Sequence, residues 1–329
     1  MSRTRVTGLW AATLLGACNF GGYTSLGKND PSDASATPSG LAWPSGTNAD
    51  DPARLNGWAT YRGRANDVAL VITDYSSWDS VARPESVLTR FAEFVGILVI
   101  AQPFWPSHSG GSLSDCAAGA YDAQWRDFGA LLQARGRGSS IVRLAWQFNG
   151  DDVEWSAREP TSFIACFRHV VSAIRTGAPA VVIDWSMGAH GASEPPSGDP
   201  FDAYPGDAFV DVVGIDAFDM TPSSRDQAAF DAQCNGPVGL CSVARFARAR
   251  GKRLGVGQWA VVTCNGFGDR GGDNPFYLQE MHDVFVQNAD IIAYETYYND
   301  PNPGEFCTSL FDPVEAPSAS ARYRELWGL

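Results

Sequence analysis

The chain has 329 residues, of which 44% are hydrophobic and 19% charged, a balance that suits a globular domain and excludes a disordered chain. Its formal net charge of −13 argues against nucleic acid or an anionic membrane surface as a partner, because both require a basic face. An acidic chain with 12% aromatic residues is better suited to neutral glycans.

The first 18 residues predict a signal for export. Arg3 and Arg5 form a basic start, and residues 6–17 form an apolar stretch too short to span a bilayer. The stretch ends in Leu-Gly-Ala-Cys, which is similar to a bacterial lipoprotein box and predicts a lipid anchor on Cys18; an ordinary secretory signal is the alternative. Residues 19–40 are rich in Gly, Ser, Asp, Pro and Thr, so we expect a flexible linker there.

Apolar runs then alternate with stretches of helical pattern up to the end of the chain. The runs are mostly continuously apolar, as expected for parallel strands buried on both faces. Eight strand-like runs that alternate with helix-like stretches over residues 41–329 predict a single-domain (β/α)8 barrel, with a doubly wound open sheet as the competing fold. Predicted strands are 40–43, 68–73, 96–102, 141–146, 181–185, 210–215, 254–258 and 291–294; predicted helices are 52–62, 84–93, 121–135, 161–176, 243–250, 275–287 and 318–327.

Six cysteines follow Cys18, and an even number in an exported chain predicts up to three disulfides. Cys234 and Cys241 are close enough to join across one loop, whereas the other pairings stay open. The cysteines lack metal-ligand spacing and the four histidines are scattered, so we expect neither a metal site nor a cofactor.

Polar and aromatic residues cluster at the ends of the predicted strands. In a (β/α)8 barrel these positions form the C-terminal face, where active sites lie. We therefore expect a binding site there. Its predicted members are Gln147 and Gln258, together with the candidate substrate-binding residues Trp105, Trp146, Asn149, Trp155, Trp185, Asp216, Phe218, Trp259, Glu295 and Tyr297.

Three segments of the chain carry a resemblance to a known family. Trp-Gln-Phe-Asn-Gly-Asp (146–151), followed by Trp155, resembles the Glu-Phe-Asn-Gly-Asp segment of glycoside hydrolase family 26, which includes bacterial β-mannanases and β-1,3-xylanases. Tyr-Pro-Gly-Asp (204–207) leading into Val-Val-Gly-Ile-Asp-Ala-Phe-Asp (212–219) resembles its sixth strand. Gly-Asp-Asn-Pro-Phe (272–276) with Met-His-Asp (281–283), then Ala-Tyr-Glu-Thr-Tyr-Tyr (293–298), resembles its last helix and strand. The likeness runs from about Leu41 to the C-terminus.

The resemblance implies an acid/base glutamate at the end of strand four and a nucleophilic glutamate at the end of strand seven. The matching residues here are Gln147 and Gln258. The chain departs from the family at two further places: Phe218 stands where a tyrosine commonly contacts the nucleophile, and Trp146 where the mannanases have a histidine. An amide cannot ionise or donate a proton to a leaving group, and it is a poor nucleophile.

We therefore predict an exported glycan-binding protein that does not hydrolyse its ligand, with β-mannan or another β-glycan as the expected ligand class. One alternative is a retaining endo-β-glycanase that uses displaced carboxylates, with Asp216 and Glu295 as the first pair to test. A structural cell-surface protein with a vestigial pocket is another, and glutamates replaced by engineering are a third. Further carboxylates that could compensate are Asp151, Asp152, Glu154, Asp184 and Asp219.

Overall fold

The computed structural model describes residues 37–189, 191–264, 268–302 and 306–329. Eight parallel strands in chain order close into a barrel, because the first strand pairs with both the second and the eighth. The predicted (β/α)8 fold is confirmed. The strands are β1 Ser45–Asn48, β2 Val68–Ile72, β3 Ile97–Gln102, β4 Ile141–Leu144, β5 Val182–Gly188, β6 Val212–Phe218, β7 Arg253–Ala260 and β8 Ile292–Tyr297.

Helices pack around the strands as an outer layer. They are α1 Pro52–Arg62, α2 Trp78–Ala82, α3 Glu85–Arg90, α4 Leu113–Ala117, α5 Asp122–Ala134, α6 Pro160–Gly177, α7 Gln227–Asn235, α8 Leu240–Ala249, α9 Pro275–Gln287 and α10 Pro317–Trp327, with a 3₁₀ helix at Pro200–Ala203. The predicted bounds of α1 and α9 are confirmed. Both helices begin with proline after a capping residue, Asp51 or Asn274, whose side chain accepts a backbone N–H of the first turn.

The first strand differs from the prediction. Residues 40–43 are not a strand; Trp43 is buried against His282 and Phe285 of α9 instead. The first strand is Ser-Gly-Thr-Asn, which has no apolar pattern. It is a strand because it pairs with β2 on one side and β8 on the other. Gly46 is required there because a Cβ would lie 1.9 Å from the carbonyl oxygen of Val68.

The barrel interior has an apolar part and a polar part. Side chains from five strands form a separate apolar cluster: Val68, Leu70, Val99, Ile141, Val212, Ala293 and Tyr294. Beside it lie the fully buried polar residues Arg143, Asp184, Ser186 and Asp216. The polar part supports the residues at the C-terminal ends of β4, β6 and β7.

Three disulfides join elements of the outer layer and the loops. They are Cys116–Cys166, between α4 and α6, Cys234–Cys241, between α7 and α8, and Cys264–Cys307, between the segments after β7 and β8. Their Cα–Cα distances of 4.8, 4.9 and 5.2 Å lie in the ordinary range. The predicted pairing of Cys234 with Cys241 is confirmed.

The predicted signal, Cys18 and most of the predicted linker lie outside the described residues. The last residues of that linker, 37–40, pack against the domain. Ser39 is buried, and its backbone N–H donates to the Asp67 carboxylate at 2.9 Å. Within the described parts of the chain, no helix is long and apolar enough to cross a membrane.

Candidate functional site

Gln147 follows β4 in a left-handed backbone conformation that non-glycine residues adopt rarely. Its φ is 54°, and Ala145 two residues earlier has φ 51°. Hydrogen bonds to both neighbouring strands hold this turn: Ala145 N–H donates to Gln102 O at 2.8 Å, and Gln147 N–H donates to Ser186 O at 2.9 Å. Such conformations concentrate at functional sites, so the backbone independently marks this position.

Gln258 is positioned by a bulge in β7. Ile215 of β6 pairs with Val256, whereas the next residue, Asp216, pairs with Gln258, so Gly257 is the extra residue. A Cβ at Gly257 would lie 2.6 Å from Nε of Arg143, which explains why glycine occupies the bulge. The bulge shifts the register at its C-terminal side and thereby sets the direction of the Gln258 side chain, which is buried.

The buried carboxylate of Asp216 connects the two glutamines. Gln147 Nε2 donates to Asp216 Oδ2 at 2.7 Å, and the same oxygen accepts a short hydrogen bond from Arg143 in an ion pair. Burial raises the pKa of Asp216, while Arg143, the Gln147 amide and the backbone N–H of Gln258 oppose that rise. An ionised carboxylate only accepts hydrogen bonds, so the Gln147 amide presents its NH2 group to Asp216.

Two other buried carboxylates have partners that belong to the fold. Asp184 accepts a short hydrogen bond from the Tyr294 hydroxyl inside the barrel, and burial raises its pKa to about 7 against the opposing effect of Arg143. Asp219 accepts from the backbone N–H of Ser224 and from the Asn274 amide, each at 2.7 Å. Asp184 is therefore a buried acid with a hydrogen-bond partner inside the barrel.

Glu295 lies in a cage of three indoles. Its carboxylate accepts from Nε1 of Trp259 at 2.6 Å, of Trp327 at 3.1 Å and of Trp43 at 3.4 Å. The group is fully buried, and burial raises its pKa. This environment ties β8 to β7 and α10. Tyr294, the preceding residue of β8, donates to Asp184 inside the barrel, and adjacent strand residues point to opposite faces, so Glu295 points away from the interior. This does not fit the expectation that Glu295 would join Asp216 as a reacting pair.

Three of the predicted aromatic residues are buried behind the strands. Trp185 packs against Phe148 at 4.8 Å, and Trp259 packs against Tyr297 at 5.0 Å between ring centroids. Trp185, Trp259 and Tyr297 are each 0% exposed, so none offers a ring face to a ligand in this conformation.

Trp146 and Trp155 form an aromatic group with Tyr75, which follows β2. The ring centroids of Trp146 and Trp155 are 4.7 Å apart, and Tyr75 meets both edge-on at 5.9 and 6.1 Å. The two indoles are largely buried, whereas Tyr75 is 36% exposed. We call these three residues the mouth aromatics; Trp146 directly precedes Gln147 in the chain, and Tyr75 is the member with an exposed ring.

The remaining predicted residues support the loops around the site. Asn149 clamps the end of β5: its oxygen accepts from Gly188 N–H at 2.7 Å and its NH2 donates to Gly188 O at 2.8 Å. Trp105 is buried beneath Gly111, where a Cβ would lie 2.3 Å from its ring. Phe218 stacks on Phe306 at 4.5 Å, next to the Cys264–Cys307 disulfide.

Arg143 was not among the predicted site residues. The sequence contains a feature that could have revealed Arg143, because it is the one charged residue in the buried strand Ile-Val-Arg-Leu. A buried arginine requires an anionic partner, which here is Asp216. Tyr75 follows a strand end like many others, and its contact with Trp146 depends on tertiary packing.

Comparisons with solved structures identify the fold. No family sequence model matches the chain, and no curated protein matches it in sequence. It is similar to a modular endo-β-1,4-mannanase from Cellulomonas fimi of glycoside hydrolase family 26, with 18% identity, 82% of this chain and 66% of that chain covered, and a TM-score of 0.59. A family 26 endo-β-1,4-mannanase from Bacillus sp. JAMB-750 has 15% identity, coverages of 89% and 88%, and a TM-score of 0.63.

A β-mannanase from a symbiotic protist of the termite Reticulitermes speratus, solved with a gluco-manno-oligosaccharide, has 11% identity, coverages of 86% of each chain and a TM-score of 0.54. These structures define the class: a closed (β/α)8 barrel of the type found in family 26 mannanases. Within that class, this chain carries Gln147 and Gln258 at the ends of β4 and β7. It spans about two thirds of the Cellulomonas fimi chain, and identities this low establish the fold alone.

Proposed function

We propose that this protein is an exported glycan-binding protein that does not hydrolyse its ligand. The observation that carries the proposal is the hydrogen bond from the Gln147 amide to Asp216. At the position where the resemblance implies a proton donor, the side chain is an amide fixed to a buried carboxylate. It can hold a sugar hydroxyl through its oxygen, but it cannot supply a proton to a leaving group.

Four of the seven carboxylates that could compensate, namely Asp184, Asp216, Asp219 and Glu295, are buried and hydrogen-bonded within the fold. Asp216 is the carboxylate in direct contact with Gln147, and its contacting oxygen is shared with Arg143. Retaining hydrolysis requires two carboxyl groups about 5–5.5 Å apart, and inverting hydrolysis requires about 6.5–9.5 Å. Glu295, Asp184 and Asp219 are each engaged with the fold, as their buried donors show.

Binding is supported by what lies beside the amide. Tyr75, the exposed member of the mouth aromatics, presents ring surface after β2, and the buried indoles of Trp146 and Trp155 hold that ring in place. Sugar rings bury their C–H faces against such surfaces, and tyrosine combines that surface with a polar hydroxyl. Two amides in place of two carboxylates also remove the cost of desolvating like charges when a neutral glycan covers the site.

We take the ligand to be a β-mannan or a related β-glycan, because the structural neighbours include β-mannanases. Export is supported by the signal-like N-terminal segment and by three disulfides, which persist in oxidising compartments. A lipid anchor on Cys18 would place the protein at a bacterial cell surface.

The test measures binding and product release on the same polysaccharides. The protein is applied to a glycan array and, in parallel, incubated with β-mannan, β-1,3-xylan and mixed β-glucans in a reducing-sugar assay. We expect binding without release. Release above background would favour the retaining endo-β-glycanase instead, and neither binding nor release would favour a structural cell-surface protein.

A pair of variants assigns the binding to this site. Tyr75→Ala removes the exposed ring and should weaken glycan binding about tenfold, equivalent to about 1.4 kcal/mol. Val286→Ala truncates an exposed side chain in the last turn of α9 and should leave binding unchanged. Equal affinity of the two variants would contradict the placement of the glycan on the mouth aromatics.

A further inference from the structure

A cavity lies between α1, the end of β1 and the segment that follows β8. Its volume is about 260 Å³. Its wall includes Asn48 of β1, Arg54 and Trp58 of α1, and Asn299 and Asp312 after β8. None of these residues belongs to the Gln147 site or to the mouth aromatics.

Asn299 holds the wall of this cavity in place through four hydrogen bonds. Its side-chain oxygen accepts from the backbone N–H of Leu310 at 2.7 Å, and its NH2 donates to Phe311 O at 2.8 Å. Its backbone N–H donates to Asn48 Oδ1 at 2.8 Å, and its carbonyl accepts from Arg54 at 3.0 Å. One buried asparagine therefore joins α1, β1 and the segment after β8, so a ligand would meet an ordered wall.

Several polar groups of the wall are not used by the fold. Trp58 is 1% exposed, and its indole N–H has no hydrogen-bond partner among the residues that the structure describes. A buried donor of this kind is uncommon and calls for an explanation. Asn48 uses its side-chain oxygen in the fold but not its NH2, and Asp312 is an exposed carboxylate without an ion pair in the described parts of the chain.

The charges and the size of the cavity define its ligand. Arg54 and Asp312 supply one positive and one negative group, so neither an anion nor a cation is favoured by charge alone. The volume lies below the range of about 300–1,000 Å³ that is typical for drug-sized ligands, which suits one small ring. The unused NH2 of Asn48, the Asp312 carboxylate and the aromatic wall together match a ring that carries several hydroxyl groups.

From these groups we infer that the cavity binds a single neutral hexose ring, either free or as the end of a glycan chain. Asn48, Arg54 and Asn299 also line a hollow of about 90 Å³ that includes Leu70 and Ile72 of β2. A ring bound in the cavity therefore lies next to the barrel mouth. The inference depends on this wall and not on the proposed function of Gln147.

The experiment follows the indole N–H of Trp58 directly. Protein labelled with ¹⁵N-tryptophan is titrated with mannose, glucose and galactose at millimolar concentrations and, in a second arm, with linear oligosaccharides of the same sugars. The Trp58→Phe variant assigns the signal. We expect at least one hexose to shift that signal in a saturable way. A larger shift with oligosaccharides would indicate a chain end as the natural source, and a larger shift with the free sugar would indicate a monosaccharide.

Two further variants and a matched control test the location. Ala53→Leu fills the cavity from an exposed position of α1, and Asp312→Asn removes the carboxylate where asparagine tolerates the observed φ of 50°. Both should weaken hexose binding about tenfold. Asn56→Leu changes an exposed residue of α1 that does not line the cavity, and it should bind like the parent.

An unmoved Trp58 signal with all three sugars and their oligosaccharides would overturn the inference, as would full hexose binding by both Ala53→Leu and Asp312→Asn. The Tyr75→Ala variant separates the two sites. It should retain hexose binding in the cavity while losing glycan binding at the barrel mouth, so failure of one proposal leaves the other measurable.

Discussion

The substitution Gln147→Glu should make the stability of this protein depend on pH in a defined way. Gln147 Nε2 lies 2.7 Å from Asp216 Oδ2, so the substitution would bring a second carboxyl oxygen to nearly the same distance. Two carboxylates this close cannot both ionise. We expect the introduced carboxyl group to stay protonated and to donate to Asp216 where the amide donates now.

The size of the effect follows from Coulomb's law and the burial of the pair. Two charges about 4 Å apart at an effective dielectric constant of about 20 repel by roughly 4 kcal/mol, or about 3 pKa units. Arg143 on the other side of Asp216 and the half-buried position of residue 147 reduce this repulsion. We therefore expect the pKa of the introduced carboxyl group to rise by about 2 units above the ordinary glutamate value of about 4.3.

The sign follows from proton linkage. A raised pKa in the folded state means that the folded protein holds the proton more tightly than the unfolded chain. Gln147→Glu should thus be nearly as stable as the parent below about pH 4 and should lose about 3 kcal/mol as the pH rises from about 4.3 to about 6.3. Urea unfolding at pH 4, 6 and 8 measures this difference, with the parent as reference at each pH.

The matched control is Gln147→Met, which removes the same hydrogen bond without adding a titrating group. Its destabilisation relative to the parent should change less with pH, because it alters only the pKa of Asp216 and adds no second carboxyl group. A Gln147→Glu variant whose destabilisation changes between pH 4 and pH 8 no more than that of Gln147→Met would refute the reasoning, because the new carboxyl group would then not share a site with Asp216.

Three further outcomes are expected. Changing Gln147 and Gln258 together to Glu should restore product release from β-mannans, xylans or glucans in a reducing-sugar assay, whereas each single change should do almost nothing. Adding Phe218→Tyr should raise the rate of the double variant. A parent protein as active as these variants would mean that the reaction takes place elsewhere. Asp184→Asn should flatten the fall in the free energy of unfolding between about pH 4 and pH 7, since burial raises the pKa of Asp184 to about 7 and that carboxyl group loses stability as it ionises; an unchanged pH profile of denaturant unfolding would contradict this. Glu295→Ala should cost about 3 kcal/mol by leaving buried indole donors unpaired, without altering glycan binding; weaker binding at unchanged stability would contradict this structural role.

The sequence was sufficient to predict the barrel because its main signals are local. Continuous apolar runs predict buried parallel strands, and proline after a capping residue predicts where α1 and α9 begin. The first strand was not predicted because Ser-Gly-Thr-Asn carries no such signal. The short helices α2, α4 and α7 were missed for a related reason: helices of 5 to 9 residues hold too few turns to show a clear period.

The sequence predicted where along its strand each candidate residue lies, but not to which face of the strand its side chain points. Tyr294 and Glu295 are neighbours at the end of β8, yet one donates to Asp184 inside the barrel and the other lies among indoles outside it. Strands apolar on both faces do not reveal which residues point inward. The bulge at Gly257 adds a register shift that depends on Arg143 of another strand, so Gln258 could be placed at a strand end but not oriented.

The buried ion pair of Arg143 and Asp216 is part of the structural framework of the barrel. A buried pair of this kind is strongly destabilising to break, because the remaining partner becomes an uncompensated buried charge. Asp216 is thus required by the barrel whether or not any reaction occurs above it, and its presence beside Gln147 is no argument for catalysis. The Gln147 amide satisfies that carboxylate without a second charge. A barrel that needs Asp216 for folding can therefore lose the chemistry at position 147 while keeping an ordered, neutral, hydrogen-bonding mouth.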